Sequence, residues 1–272
     1  MTVRRALPLL AATALLLTGC AGQSPPPWDP PAGPQLPPAG GQLDYQLGGA
    51  YDPPNGVEIV VRDRAAASVD DLYSVCYVNG FQTQPGELET WPDELLLHDD
   101  DGEPVIDPDW PDEVILDTRK ADEIAKIVAP WIRECASDGF DAVELDNLDT
   151  YTRTDGTLTR DDALDFATLL VDTAHDVGLA AGQKNAAEDA SLLHSRAGFD
   201  FAVVEECAAY EECAGYTEVY GDHVLAIEYT DNLPRPWDEV CADPETPASV
   251  VLRDRDLVPP DEPAYRFETC PD

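Results

Sequence analysis

A single (β/α)8 barrel is the fold this sequence predicts, and two observations predict it. Short apolar runs rich in β-branched residues recur along the chain, and helical patterns of apolar spacing stand between several of them. The runs are continuous rather than alternating, as expected of parallel strands covered on both faces. Eight runs, at 57–61, 73–78, 114–116, 142–145, 179–181, 201–204, 224–227 and 250–252, fit one barrel over residues 42–272. An open doubly wound sheet is the competing arrangement, but no GxGxxG follows the first run, so its dinucleotide-binding form lacks support.

In chain order, Arg4 and Arg5 precede an apolar stretch over 6–17, too short to span a bilayer but right for the h-region of a secretory signal. It ends Leu17-Thr18-Gly19-Cys20, which resembles the bacterial lipobox, so residues 1–20 are expected to be a lipoprotein signal with Cys20 as the lipidated residue. Residues 21–41 carry eight prolines with Gly, Ala, Ser and Gln. That composition cannot bury apolar surface and predicts a tether holding the domain off the outer face of a membrane, or a secreted form. Beyond the third run, Ile124, Ile127, Val128, Trp131, Ile132 and Cys135 follow the spacing of one buried helical face. The next helix has Thr159 as N-cap, Asp162 at the capping-box position and Gly178 at its end.

The 272 residues include 55 Asp and Glu against 16 Lys and Arg, a formal charge of −39. Such a field excludes a phosphate-tracking nucleic-acid binder and favours a cationic substrate or partner, unless the acidity is a solvated surface suited to salt. With 43 % apolar residues the chain can still bury a full core, so global disorder is excluded; a monomer is expected. Six cysteines follow Cys20, and outside the cytoplasm they permit three disulfides in 15 pairings. Cys207 and Cys213 close a short loop and are the safest pair; Cys241 with Cys270 would fasten the tail. Cys76, in an apolar run, and Cys135, on a helical face, fit a bridge or two buried thiols equally well. No CxxC or HExxH occurs, and the acidic run at 99–102 lacks an EF-hand's first ligand and closing glutamate, so no metal or cofactor is expected.

Barrel chemistry belongs just beyond the C-terminal strand ends. There stand Asp63, Asn79, Asp117 with Arg119, Asp146 with Asn147, Gln183 with Lys184 and Asn185, Glu205 with Glu206, and Glu228 with Tyr229. Converging carboxylates among amides and an aromatic suit a sugar-cleaving site, where one acid protonates a glycosidic oxygen and another attacks or activates water. Ser-His-Asp chemistry has no support, since none of His98, His175, His194 or His223 adjoins a GxSxG motif.

The stretches Gly139-Phe-Asp-Ala-Val-Glu-Leu-Asp-Asn-Leu-Asp-Thr-Tyr151, Gly182-Gln-Lys-Asn185, Phe201-Ala-Val-Val-Glu-Glu-Cys207, Tyr210-Glu-Glu-Cys213 and Ile227-Glu-Tyr-Thr230 carry a resemblance. With Tyr45-Gln-Leu-Gly-Gly49 and Val75-Cys-Tyr-Val-Asn-Gly80, the chain resembles glycoside-hydrolase family 114, the endo-α-1,4-polygalactosaminidases, over most of residues 43–256. The resemblance implies a (β/α)8 fold, no cofactor, Asp146 as nucleophile or base, and Glu205 as general acid/base. It further implies that Asp63, Tyr77, Asn147, Lys184, Asn185, Glu228 and Tyr229 bind sugar hydroxyls or orient the two acids. For Asp63, Lys184 and Glu228 an ion-pair layer inside the mouth is an equal alternative. Glu144, two residues before Asp146 on the same face, is as readily a structural partner as a catalytic group.

Two departures bear on substrate. Where the family often has Asn-Glu-Gln-Cys this chain has Val204-Glu205-Glu206-Cys207, and where it often has Glu-Pro-Asp-Asn it has Glu144-Leu145-Asp146-Asn147. Val204 removes a hydrogen-bonding side chain and Glu206 adds charge, and either change is expected to alter the protonation of Glu205 or the sugar accepted, with Lys184 offsetting part of the charge. The expectation is a surface lipoprotein hydrolysing an α-linked, amino-sugar-rich and cationic polysaccharide. An inert glycan- or solute-binding barrel, or a hydrolase of a different glycan, is the alternative. Trp91 and Trp110, between the second and third runs, either stack on sugar rings or cover the core.

Overall fold

The computed structural model describes residues 33–271. Eight parallel strands follow one another around the barrel: β1 Leu43–Tyr45, β2 Ile59–Asp63, β3 Tyr73–Asn79, β4 Ala142–Asp146, β5 Ala180–Lys184, β6 Phe201–Glu205, β7 Val224–Tyr229 and β8 Ser249–Arg253. A ninth, β9 Phe267–Thr269, adds antiparallel to β8. Alternation of side chains explains the continuous apolar runs. Leu43, Ile59, Val61, Val75, Ala142, Val203, Leu225, Ile227 and Val251 fill the interior. The residues between them, among them Cys76, Val78, Val143, Leu145, Val204 and Ala226, meet the surrounding helices. Space inside is tight: a Cβ on Gly182 would fall 2.5 Å from Cζ of Phe201, so only glycine admits that ring.

The helices are unevenly spread. Helix α1, Ala121–Ser137, precedes β4, and α2, Arg160–Asp176, precedes β5. Ile124, Val128, Ile132 and Cys135 form the buried face of α1 as the spacing predicts, with Ile127 and Trp131 packed at its edge. Thr159 and Asp162 make the expected reciprocal capping box on α2, and the chain turns out of that helix at Gly178, φ +87°. Four shorter helices follow: α3 Ala190–Leu192, α4 Cys207–Tyr210, α5 Cys213–Tyr220 and α6 Trp237–Cys241. No helix separates β1 from β2 or β2 from β3.

One predicted strand is corrected. Residues 114–116 lie outside the barrel: Val114, Ile115 and Leu116 form isolated antiparallel bridges to Ile106, Gln82 and Leu96 within the long β3–α1 connection. The run is apolar because Val114 and Leu116 pack into the main core between barrel and helices, while Ile115 joins a small separate cluster with Leu97 and Leu158. Its place is taken by β1, three residues long with a buried Asp44 in the middle, too short and too polar to register as a strand. Trp91 is buried against Trp131 and covers the core, whereas Trp110 stands 60 % exposed.

The seam between β8 and β1 is stitched by a side chain. Arg253, fully buried, donates from Nη1 to Asp44 Oδ1 at 3.1 Å and to the Tyr45 carbonyl, from Nε to the Arg266 carbonyl at 2.8 Å and from Nη2 to the Val258 carbonyl at 3.2 Å. Three disulfides staple the periphery: Cys207–Cys213 and Cys241–Cys270, as expected, and Cys76–Cys135, which ties β3 to α1. The signal segment and Cys20 lie outside the described residues. Contacts to the barrel floor begin ahead of residue 42, with Tyr73 donating to the Gln35 carbonyl at 2.6 Å and His223 Nδ1 3.0 Å from the Pro37 carbonyl. Among the described residues no helix is long and apolar enough to cross a membrane.

Replacing Arg253 with Met leaves Asp44 buried without its cation and the seam carbonyls without their donor. The expected cost is about 3–5 kcal/mol, read as a lowered urea midpoint. Arg253→Lys should recover little, because a point charge cannot serve four acceptors in fork geometry.

Candidate active site

Lys184 ends β5 pointing inward, and its side chain is 3 % exposed. Its Nζ lies 3.1 Å from Glu205 Oε2, 3.3 Å from Glu144 Oε1 and 3.6 Å from Asp146 Oδ2, and donates to the Tyr45 hydroxyl at 2.9 Å. Burial works to lower the Lys184 pKa, but the surrounding negative charges, led by Asp146 and Glu205, outweigh it and hold the ammonium protonated.

Each carboxylate around the lysine also receives a phenol. Tyr45 donates to Glu144 Oε1 at 2.8 Å, Tyr77 to Asp146 Oδ2 at 2.7 Å, and Tyr229 to Glu205 Oε1. Burial, followed by the adjoining carboxylate, pushes all three tyrosines well up, so they remain O–H donors. The acids themselves diverge. Burial lifts Glu144 to about 7 despite Lys184 and Tyr45, and its Oε2 is buried with no partner. Burial acts upward on Glu205 too, but Lys184 and the donated hydrogen bonds prevail and hold it below the usual glutamate range.

The backbone leaves the barrel abruptly at these strand ends. Asn147, Asn185 and Glu206 have φ of +64°, +48° and +59°, left-handed geometry that costs a non-glycine residue on the order of 1 kcal/mol and that asparagine tolerates best. The turns supply local donors and acceptors. Asn147 N–H donates to Asp146 Oδ1 at 2.7 Å, and Glu205 N–H donates to Asn185 Oδ1 at 2.9 Å. The Asn147 amide also reaches Asn79 Oδ1 at 3.1 Å.

Of the residues singled out from sequence, Asp146, Glu205, Tyr77, Asn147, Lys184, Asn185 and Tyr229 come together here. Two do not. Asp63 ends β2, but its carboxylate is taken up by Ala65 N–H and Gln84 Nε2 and does not line the mouth. Glu228 is corrected: it sits between inward Ile227 and Tyr229, so it faces the helices, where Oε1 accepts from Ala208 N–H at 2.8 Å at the start of α4. Asp117 is likewise away from the mouth, bonded to Arg119 and Lys120. Tyr45 was missed because β1 was missed. Glu113 was missed because the β3–α1 connection has no periodicity to place it, whereas Trp110, for which sugar stacking was one of two readings, does reach the mouth.

Two hollows, of about 240 and 570 Å3, meet at a common floor of Tyr77, Trp110, Asp146, Lys184 and Glu205. A larger hollow of about 710 Å3, lined by Glu58, Asp70, Asp71 and Asp138, lies at the opposite end. It holds no cation between facing acids, and barrel chemistry belongs at the C-terminal strand ends. The Cys207 and Cys213 sulfurs with Glu228 lie within 4.8 Å of one another, but the sulfurs are joined in a disulfide and offer no thiolate to a metal.

Residues 23–272 match the family model described as glycoside-hydrolase family GH114. The structure is similar to the crystal structure of Aspergillus fumigatus Ega3 in complex with galactosamine, with TM-score 0.69 and 23 % identity over 83 % of this chain and 96 % of that one. It is also similar to the glycoside hydrolase domain of PelA from Pseudomonas aeruginosa, with TM-score 0.55 and 14 % identity over 79 % and 95 %. No curated protein matches.

Lys184→Met tests the electrostatic account. In the native protein the lowered Glu205 stabilises the fold above the unfolded-state pKa and loses that contribution as pH falls through its folded value. Glu144, raised to about 7, acts oppositely: its contribution is lost as pH rises from the unfolded value through neutrality. Without Lys184 both carboxyls are raised, so the variant should be most stable near pH ~5 and lose stability towards pH ~8 more steeply than wild type. Urea midpoints across that range decide it; parallel slopes for the two proteins contradict it.

Proposed function

The chain belongs to glycoside-hydrolase family 114, and from that premise we propose that it is a cell-surface enzyme cleaving internal α-1,4 linkages in a galactosamine-rich polysaccharide. The observation that carries this reading is the pair Asp146 and Glu205, which flank one ammonium and open onto the same two hollows. Glycosidic cleavage requires one carboxyl to protonate the leaving oxygen and a second to attack the sugar or activate water.

Asp146 takes the second role. Asn147 N–H and the Tyr77 hydroxyl hold its two oxygens, with Lys184 alongside Oδ2, and together they fix a rigid anion. Glu205 takes the first role. Its side chain is the more open of the two, 27 % exposed against 18 % for Asp146, so it can exchange protons with water between steps. In the free site Lys184 and Tyr229 hold it ionised. A sugar ring removes its remaining water, and that added desolvation moves Glu205 up towards the range of a general acid. Once its proton has passed to the leaving oxygen, Lys184 and Tyr229 stabilise the carboxylate that remains. Because both acids reach one nitrogen, at 3.6 and 3.1 Å, the two oxygens beside it are no farther apart than those distances laid end to end, which excludes most of the ~6.5–9.5 Å range of inverting enzymes and favours retention.

The location follows from different observations. The three disulfides support an oxidising compartment, and the lipobox ending at Cys20, followed by the proline-rich stretch, supports a lipid-anchored barrel. The formal charge of −39 attracts a cationic, partly deacetylated polymer.

The secreted chain from residue 21 should release reducing ends from α-1,4-linked galactosamine polymer. Asp146→Asn and Glu205→Gln should each lower that rate by on the order of a thousandfold while remaining folded. Binding without release by wild type would replace the enzyme with the inert glycan-binding barrel. Tyr229→Phe removes a donor to ionised Glu205, raises its pKa, and should move the alkaline limb of the kcat/KM profile up by about one pH unit. Retention should appear as initial α-anomer in proton NMR of the fresh product.

A further inference from the structure

The two hollows that meet at the catalytic pair differ in chemistry. The smaller is lined by Asp107, Asp109, Glu113 and Asp149, with Lys184, already held by the catalytic pair and Glu144, on its floor and Arg153 in its wall. That guanidinium is already engaged, donating from Nε to Asp107 at 2.6 Å, from Nη1 to Asp149 at 2.9 Å and from Nη2 to Asn147 Oδ1 at 3.3 Å. Glu113 forms no ion pair with any Lys or Arg among the described residues, and Arg153 acts on it only from a distance. Its one side-chain hydrogen bond is from Asn79 Nδ2 to Oε2 at 3.0 Å. Partial burial, with Asp146 and Asp107 nearby, lifts its carboxyl to about 7, as expected of an acid whose counter-charge is missing. Trp110, 60 % exposed, stands on the shared floor beside it.

The larger hollow differs in that Asp256, in its wall, stands exposed to water. Its Glu206 is clamped by Arg255, whose Nη1 and Nη2 donate at 2.8 and 2.7 Å, and receives Asn232 at 2.9 Å. Leu47 and Leu257 supply apolar wall, and the Arg255 guanidinium covers the Tyr229 ring at 4.2 Å.

We propose that Glu113, with the Trp110 indole, is the specificity-determining pair that receives the protonated amine of an unacetylated sugar next to the scissile bond, while the Arg255 side accepts a neutral sugar. This rests on the glycosidase reading above. An ammonium between Glu113 and the indole face supplies the absent cation, gains a charge-assisted hydrogen bond and a cation–π contact, and lowers the Glu113 pKa by linkage. An N-acetyl group at the same place offers neither charge nor fit, and leaves Glu113 buried against an amide. Asn79 carries the contact inward: it bonds Glu113 through Nδ2 and accepts from Asn147, whose N–H holds Asp146.

The test is binding rather than turnover, so it does not depend on hydrolysis. Asp146→Asn protein is titrated calorimetrically with an α-1,4-linked galactosamine tetramer and with its fully N-acetylated counterpart, with and without Glu113→Gln. The parent should prefer the amine form, and Glu113→Gln should cut that preference about tenfold. Trp110→Ala should weaken the amine form more than the acetylated form. An unchanged preference in Glu113→Gln, or an equal loss on both tetramers, overturns the assignment. Failure of wild type to cleave either polymer, with the preference intact and lost in Glu113→Gln, would overturn only the hydrolase reading.

Discussion

One lysine ammonium, sealed inside the barrel among three carboxylates, sets the terms for the rest of the molecule. Lys184 cannot be neutral beside Asp146, Glu205 and Glu144, and those acids cannot all be charged without it. One cation against three acids leaves an excess of negative charge in a place water scarcely reaches. The excess is handled unevenly: Glu144, fully buried, takes the higher pKa, while Glu205, closest to the nitrogen, takes the lower. Three phenols complete the layer, each from a different strand, so β1, β3 and β7 are fixed relative to β4, β5 and β6 by polar geometry as much as by apolar packing. Deleting any one partner strands a buried group, which couples the stability of the barrel to the integrity of its mouth.

The same logic operates at the seam. Where β8 leaves β1 without a continuous ladder, orphaned carbonyls and buried Asp44 would be costly, and the Arg253 fork meets them together. The periphery needs less. Disulfides pin the segments with little apolar area of their own, as at the short α4–α5 corner and the tail beyond β9. Two of the buried cations thus have different duties, Arg253 closing the wall and Lys184 holding the acids of the mouth.

Strand-end reasoning reached the residues of the barrel mouth because the barrel converts sequence position into depth. Asp146, Lys184 and Glu205 each close an apolar run, and in a parallel barrel the ends of runs converge. The same reasoning placed Glu228 wrongly because it counted run ends without counting parity: Tyr229, one residue on, is the inward one. It missed β1 because Asp44 breaks the apolar pattern, and the reason for a buried Asp44 is Arg253, more than two hundred residues away. It filled the gap with 114–116, whose side chains pack outside the barrel wall, Val114 and Leu116 in the main core and Ile115 in a satellite cluster. Nothing local to Glu113 marks it either, since its role depends on Arg153 being spent elsewhere. Two of these, β1 and Glu113, turn on pairings between charges distant in sequence.

That distinction also disposes of the substitutions beside the catalytic acid. Val204 and Glu206 flank Glu205 in sequence, and a change of polarity or charge there seemed bound to disturb it. Along a strand, however, immediate neighbours point to opposite faces. Val204 packs outward against the helices and has no access to the mouth. Glu206 follows the last strand residue, turns away through a left-handed backbone conformation, and meets Arg255 in a bidentate pair with Asn232 alongside. Arg255 pairs with its charge, and burial, Lys184 and Tyr229 lead the influences on Glu205. Differences in substrate among barrels of this kind therefore belong to the walls: the β3–α1 connection carrying Trp110 and Glu113 on one side, and the segment after β8 carrying Arg255 and Leu257 on the other. These segments lie outside the barrel ladder and can change without disturbing the buried charge layer beneath them.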